Sequence, residues 1–135
     1  MSQTSDSPPV VEISSDETFD HTLQRLSAAI ETAGMRVFAR IDHAAGAAEV
    51  GMTMPPTVLL LYGHPRGGTP IMLDTPLAAL DLPLRVLVRE TRDGDVLVSF
   101  HPVAPMLLAL GVAEQLARQL EPAQRLIAST LRRGS

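Results

Sequence analysis

The chain has no cysteine, and aromatic residues make up only 3% of its 135 residues. The missing cysteine excludes disulfides, thiolate catalysis and cysteine-ligated zinc or iron–sulfur sites. Scarce aromatic side chains disfavour nucleic-acid binding by base stacking. A basic excess is also missing, because the net charge is −4 and the pI is about 5.5. We therefore expect no nucleic-acid partner.

Long apolar runs are missing as well. No stretch approaches the ~20 residues of a membrane span. The first ten residues lack the basic and apolar regions of a signal peptide. We therefore expect a soluble cytoplasmic protein with no membrane partner.

The remaining composition is typical of a globular protein, with 45% hydrophobic and 19% charged residues. The length fits one domain with a sizeable core built from aliphatic side chains. Residues 1–9 are polar and contain proline, which predicts a flexible N-terminal tail. Residues 10–135 are predicted to form a single domain.

Hydrophobic periodicity predicts both strands and helices. A helix is predicted over Thr18–Ala33, with Thr18 as its N-cap and an apolar stripe every three or four residues. The run Thr57–Tyr62 is unbroken and predicts a strand covered on both faces. A final helix is predicted within 112–131, and Pro122 either breaks it or begins a new one. Other strands are predicted at Val10–Ile13, Arg36–Asp42, Leu84–Thr91 and Val96–His101.

The stretch Thr57–Asp74 joins the apolar strand to a loop rich in glycine and proline. His64 and Arg66 lie in this loop. Thr69 followed by Pro70 predicts a helix start, because proline is favoured at the first helical position. This junction is the first place to look for a functional site.

Several short segments together carry a family resemblance from about Thr18 to Leu131. They are Gly34–Phe38, Ile41–Ala47, Pro55–Leu61, Gly63-x-Pro65 followed by Gly68–Pro70, and Ala79–Leu84. In this order they resemble bacterial domain-of-unknown-function family 302. The family commonly has asparagine where this chain has His64, and a different stretch after the last strand where it has His101.

The resemblance implies a small α+β domain of the TATA-binding-protein-like type. The implied order is strand, helix, four strands, helix, with an antiparallel sheet of about five strands and helices packed on one face. It also implies a homodimer. No reaction is established for the family, so catalytic residues, metal ligands and cofactors stay unassigned.

An antiparallel meander would gather several side chains at one edge of the sheet. We predict a ligand site there from His64, Arg66, Gly68, Thr69, Arg85 and His101. Exposed backbone N–H groups at Gly67–Thr69, with two arginines, would suit an anion. The expected function is therefore small-molecule or anion binding by a homodimer.

Two alternatives use the same sheet edge. One is an enzyme of unrecognised chemistry, and the other is a haem or metal site on His64 and His101, because imidazole is a common ligand. The outward sheet face is predicted to suit a dimer interface or a shallow ligand surface. Its predicted side chains are Phe38, Arg40, Leu87, Arg89, Leu97 and Ser99.

Overall fold

The computed structural model describes residues 9–133, with side chains to residue 132. The tail predicted at residues 1–9 lies outside this range except for Pro9. The fold is α+β, as the sequence predicted, with one antiparallel sheet of five strands in the described residues.

The sheet has the strand order β1-β5-β4-β3-β2, so the last four strands form a meander and β1 pairs with β5. The tight turn between β4 and β5 closes through Thr91, whose N–H donates to the carbonyl of Asp95 at 2.8 Å. Gly94 has a φ of +92°, which glycine adopts without strain. The strand bounds are β1 Val11–Ser15, β2 Arg36–Asp42, β3 Thr57–Gly63, β4 Leu84–Glu90 and β5 Val96–Phe100.

The helices connect and cover these strands. The break predicted near Pro122 is a new helix start, because α6 begins at Glu121 and a 3-10 turn over Arg118–Leu120 precedes it. A second 3-10 segment spans Pro76–Asp81. The α-helix bounds are α1 Phe19–Thr32, α2 His43–Glu49, α3 Pro65–Asp74, α4 Val103–Ala109, α5 Glu114–Ala117 and α6 Glu121–Arg133.

The predicted first helix is confirmed. Thr18 is its N-cap and accepts a hydrogen bond from the N–H of His21 at 3.1 Å. Its apolar stripe is fully enclosed, because Leu23, Leu26 and Ile30 are at most 1% exposed. This stripe packs into the core formed by the helices and one face of the sheet.

An arginine joins the first helix to the last. Arg25 donates to Glu17 Oε1 at 3.1 Å and to the backbone carbonyl of Thr130 at 2.6 Å. The guanidinium therefore ties the loop before α1 to the C-terminal half of α6. Its side chain is only 24% exposed, so these bonds are partly shielded from water.

The predicted strand β2 is found, but its alternation changes between Val37 and Ala39, where the register with β3 shifts. Beyond this irregularity, Arg40 lies opposite Leu60, which faces the core. Directly paired residues share a face. The prediction that Arg40 lies on the outward face is therefore wrong. The extra residue in β2 moves each later residue of the strand to the opposite face of the sheet.

Strand β3 is not covered on both faces, contrary to the prediction. Val58, Leu60 and Tyr62 are at most 2% exposed, whereas Leu59 and Leu61 are only partly buried. The outward leucines are shielded in part by neighbours on the same face, such as Leu87, which pairs with Leu59. An unbroken apolar run here marks a one-sided strand with an apolar outer face.

Candidate functional site

A cavity of about 700 Å³ opens at the end of the sheet where β3 finishes. Its walls come from segments that are distant in sequence: the end of α1, β2, the end of β3, α3, the start of β4 and the start of α6. The lining is Ala33, Met35, Phe38, Leu61, Tyr62, Gly63, His64, Pro65, Gly67, Gly68, Thr69, Met72, Leu82, Pro83, Leu84, Gln119, Leu120, Pro122, Ala123 and Leu126.

Helix α3 forms the wall nearest the strand end, and it begins earlier than predicted. His64 is its N-cap, with an extended backbone, and its Nδ1 accepts from the N–H of Arg66 at 3.0 Å. Pro65 takes the favoured first helical position, while Pro70 lies inside the helix. The predicted helix start at Thr69 and Pro70 is therefore wrong, because Pro65 already occupies the first position of the helix.

The backbone amides at the start of α3 are already engaged. The N–H groups of Gly67 and Gly68 donate to the carbonyl of His64 at 2.9 and 3.3 Å. The N–H of Arg66 donates to the imidazole ring of His64. The sequence predicts that N–H groups in this segment bind an anion. The N–H groups of Arg66, Gly67 and Gly68 instead bond within the protein.

The predicted site residues divide into two groups. His64, Gly68 and Thr69 line the cavity, whereas Arg66, Arg85 and His101 do not. Arg85 pairs with Leu61 across the strands and is exposed. Within residues 9–133, no charged side chain belongs to the cavity lining.

His101 is held at the same end of the sheet by different contacts. Its Nδ1 lies 2.8 Å from the carbonyl oxygen of Pro9, and since that oxygen only accepts, the ring donates from Nδ1. Its backbone carbonyl accepts from Nε2 of Gln124 at 2.8 Å, and Gln124 Oε1 accepts from the N–H of Val103 at 2.9 Å. The buried glutamine therefore joins α6 to the segment after β5, and His101 belongs to that junction.

Tyr62 forms the inner wall of the cavity and is fully buried. Its hydroxyl donates to the carbonyl of Ala123 at 3.3 Å. Burial raises the pKa of Tyr62 above its ordinary value of 10.0, because the phenolate would be desolvated. The ring is therefore a neutral wall.

Sequence reasoning missed most of the apolar lining. No sequence pattern assigns a site role to Leu120, Leu126 or Met35. The clearest available signal is Gly67, where a Cβ would lie 3.0 Å from Leu120 Cδ2. Such a close approach favours glycine, because Leu120 would have to move to admit a Cβ, but this neighbour is visible only in the fold.

The histidines do not belong to a recognisable metal cluster. Across the described part of the chain, no group of three or more His, Asp or Glu side chains is arranged to hold a metal ion. The cavity chemistry is therefore set by apolar walls and the polar side chains of Tyr62, His64, Thr69 and Gln119.

Comparison with known proteins identifies the family. Residues 11–133 match the family described as "Domain of unknown function DUF302". The chain belongs to this family, as the resemblance predicted. A crystal structure of an uncharacterized conserved DUF302 protein from Bacillus stearothermophilus has the same fold. The TM-score is 0.80 at 16% identity, covering 93% of this chain and 98% of that one.

Curated relatives are longer proteins. "Fluoride-specific ion channel FluC 1" of Brucella suis biovar 1 is 39% identical over 95 residues, or 70% of this chain and 37% of that protein. The Brucella abortus biovar 1 protein of the same name is also 39% identical over 95 residues, which is 35% of its length. The chain thus spans about one third of these relatives. No helix among residues 9–133 is both long and apolar enough to cross a membrane.

Proposed function

We propose that this chain is a non-enzymatic domain that binds an apolar small molecule in the cavity. The observation that carries the proposal is a 700 Å³ space whose lining has no charged side chain in the described residues. Ligand sites typically have volumes of roughly 300–1,000 Å³, apolar walls and a few polar groups that orient the ligand. The cavity has this composition.

The energetics favour an apolar ligand over an anion. Transfer of apolar surface from water contributes about 25 cal/mol per Å². A bound anion would instead lose its hydration without gaining a cation, since Arg66 and Arg85 lie outside the lining. The amides of Gly67 and Gly68 are also already bonded. Of the two ligand classes that the sequence predicts, these contacts favour a small molecule over an anion.

Titration calorimetry with naphthalene tests this proposal. We expect saturable one-to-one binding to the native chain and a loss of at least about tenfold in affinity for Ala123→Leu, which fills the cavity from α6. Ala28→Leu is the matched control, because Ala28 is exposed on α1 and lies outside the lining. If Ala123→Leu unfolds, Ala33→Leu narrows the cavity from its other side. No binding to the native chain, or equal binding to all variants, would refute the proposal.

We also propose that two copies associate through the outward face of the sheet. The helices pack on the opposite face. Leu59, Leu61, Leu87 and Leu97 form a partly buried apolar strip on the outward face. Glu12 borders it and accepts from Ser99 Oγ at 3.2 Å. Arg85 and Arg89 lie on the same face, opposite Leu61 and Leu97. An apolar strip of this kind suits an isologous dimer.

Sedimentation velocity tests this association. We expect a dimer for the native chain and a monomer for Leu87→Glu, which places a charge in the strip. Leu73→Glu should remain dimeric, because Leu73 is 79% exposed on α3, away from the sheet. A monomeric native chain would contradict the dimer.

We also propose that the protein is cytoplasmic. Subcellular fractionation of cells that produce it tests this location, and recovery outside the cytoplasmic fraction would contradict it.

A second candidate function comes from the Brucella relatives. Because proteins named as fluoride-specific ion channels contain a segment 39% identical to this chain, the domain is a candidate regulator of an ion channel. Fluoride flux through vesicles holding the Brucella suis channel, with and without the matching segment, tests this idea. Flux that depends on the segment supports regulation, and unchanged flux rules it out.

A further inference from the structure

His64 caps a helix with its side chain and is also one of the residues that line the cavity. Nδ1 accepts the hydrogen bond from the N–H of Arg66 at 3.0 Å, so its lone pair is occupied. In a neutral imidazole one nitrogen accepts and the other carries the proton. The cap therefore fixes the tautomer with hydrogen on Nε2.

Nε2–H is consequently a hydrogen-bond donor that the cap leaves available. Some of the neighbouring donors are already engaged elsewhere. The hydroxyl of Tyr62 already donates to the carbonyl of Ala123, and the amides of Gly67 and Gly68 already donate to the carbonyl of His64. The lining of the apolar cavity thus includes one imidazole whose donor nitrogen is fixed by the cap.

We infer that the ligand is an apolar molecule with one neutral carbonyl group, which accepts a hydrogen bond from His64 Nε2–H. This inference depends on the proposed function, since it names the ligand class of the same cavity. A carbonyl suits the site better than a carboxylate. A desolvated carboxylate would need a cation, and the described lining contains none.

Two substitutions separate the cap from the donor. Asparagine and aspartate are both strong N-cap residues, so His64→Asn and His64→Asp should keep the start of α3. Asparagine also retains an N–H donor, whereas ionised aspartate only accepts. The two variants therefore differ in ligand recognition more than in helix stability.

The experiment uses two probes of nearly equal shape. 2-Acetylnaphthalene has a carbonyl, and 2-isopropenylnaphthalene has a CH₂ group in place of the carbonyl oxygen. The ratio of their dissociation constants is measured by calorimetry on the native chain and both variants. We expect His64→Asp to lower the preference for the ketone by roughly 3- to 10-fold, which is the net effect of one hydrogen bond. His64→Asn should retain most of it.

A spectroscopic readout separates recognition from a purely structural role. The carbonyl ¹³C resonance of labelled ketone should move on binding to the native chain, as a hydrogen bond polarises the carbonyl, and move less in His64→Asp. If the ratio and the resonance are the same in all three proteins, the inference is wrong although the cavity binds ligand. If neither probe binds the native chain, the proposed function fails and the inference fails with it.

Discussion

Leu120 lies directly over Gly67. A Cβ on the glycine would be 3.0 Å from Leu120 Cδ2, which is tighter than ordinary van der Waals contact. Helix α3 and the 3-10 turn before α6 therefore meet through the side chain of Leu120, which rests against the bare backbone of Gly67. This contact closes one wall of the cavity.

Substitution of the two neighbouring glycines should have different effects. Alanine in place of glycine in a helix stabilises by roughly 0.5–1 kcal/mol where space allows. A Cβ on Gly68 would make ordinary contacts at 3.6 Å to Leu82 and Met72, so Gly68→Ala should raise the free energy of unfolding. Gly67→Ala should gain less or lose stability, because Leu120 must move.

Urea denaturation of the two alanine variants measures this difference. The native chain is the reference, and each variant controls for the loss of glycine flexibility in the other. Equal stabilisation by both substitutions would show that Leu120 is not confined over Gly67.

Alkaline pH should destabilise the fold through a single side chain. The chain has one tyrosine and no lysine or cysteine, so between about pH 9 and 12 Tyr62 is the side chain that titrates. Burial raises its pKa above 10.0 in the folded state. Above the unfolded-state pKa the unfolded chain binds fewer protons, so stability falls as pH rises, by ~1.4 kcal/mol per unit.

Tyr62→Phe provides the control for this pH dependence. The variant loses the 3.3 Å bond to Ala123 at every pH, at a cost of about 0.5–1 kcal/mol, but its stability should be nearly flat above pH 10. Urea midpoints of both proteins across this pH range give the comparison. Parallel curves would show that ionisation of Tyr62 is not responsible.

Removing the guanidinium of Arg25 should loosen α1 from α6. Arg25→Ala loses the bonds to Glu17 and to the carbonyl of Thr130, and we expect a loss of roughly 1.5–3 kcal/mol. Arg118→Ala is the control, because Arg118 is 54% exposed and its ion pairs contribute at most about 1 kcal/mol. Thermal and urea unfolding should rank the two variants in this order, and the reverse order would contradict the tether.

Local signals explain why much of the fold was predictable. Helix α1 has its cap and its apolar stripe within 16 residues, so no distant contact is needed to identify it. The strands β2 and β4 alternate clearly, and Asp93-Gly94 marks the turn before β5. The register shift in β2 has no such local signal, and it reversed the predicted face of Arg40.

The candidate site was less predictable, because its walls depend on packing between distant segments. His64 and Thr69 could be identified from the loop, but Leu120 and Leu126 contribute only after the 3-10 turn and α6 come to lie at the end of the sheet. The sequence predicts a helix start at Pro70 because the preceding Thr69 is a common N-cap residue. Histidine is also an uncommon N-cap, so the earlier start at Pro65 was not recognised.

Fluorescence of Tyr62 tests the central claim most directly, because this residue is the single tyrosine, tryptophan is absent, and its ring forms a wall of the cavity. 2-Acetylnaphthalene absorbs where tyrosine emits, so a ketone in the cavity should quench the emission saturably. We predict strong saturable quenching in the native chain and in Ala28→Leu, with little in Ala123→Leu. Absence of saturable quenching in the native chain, or equal quenching in Ala123→Leu, would contradict a ligand-binding cavity.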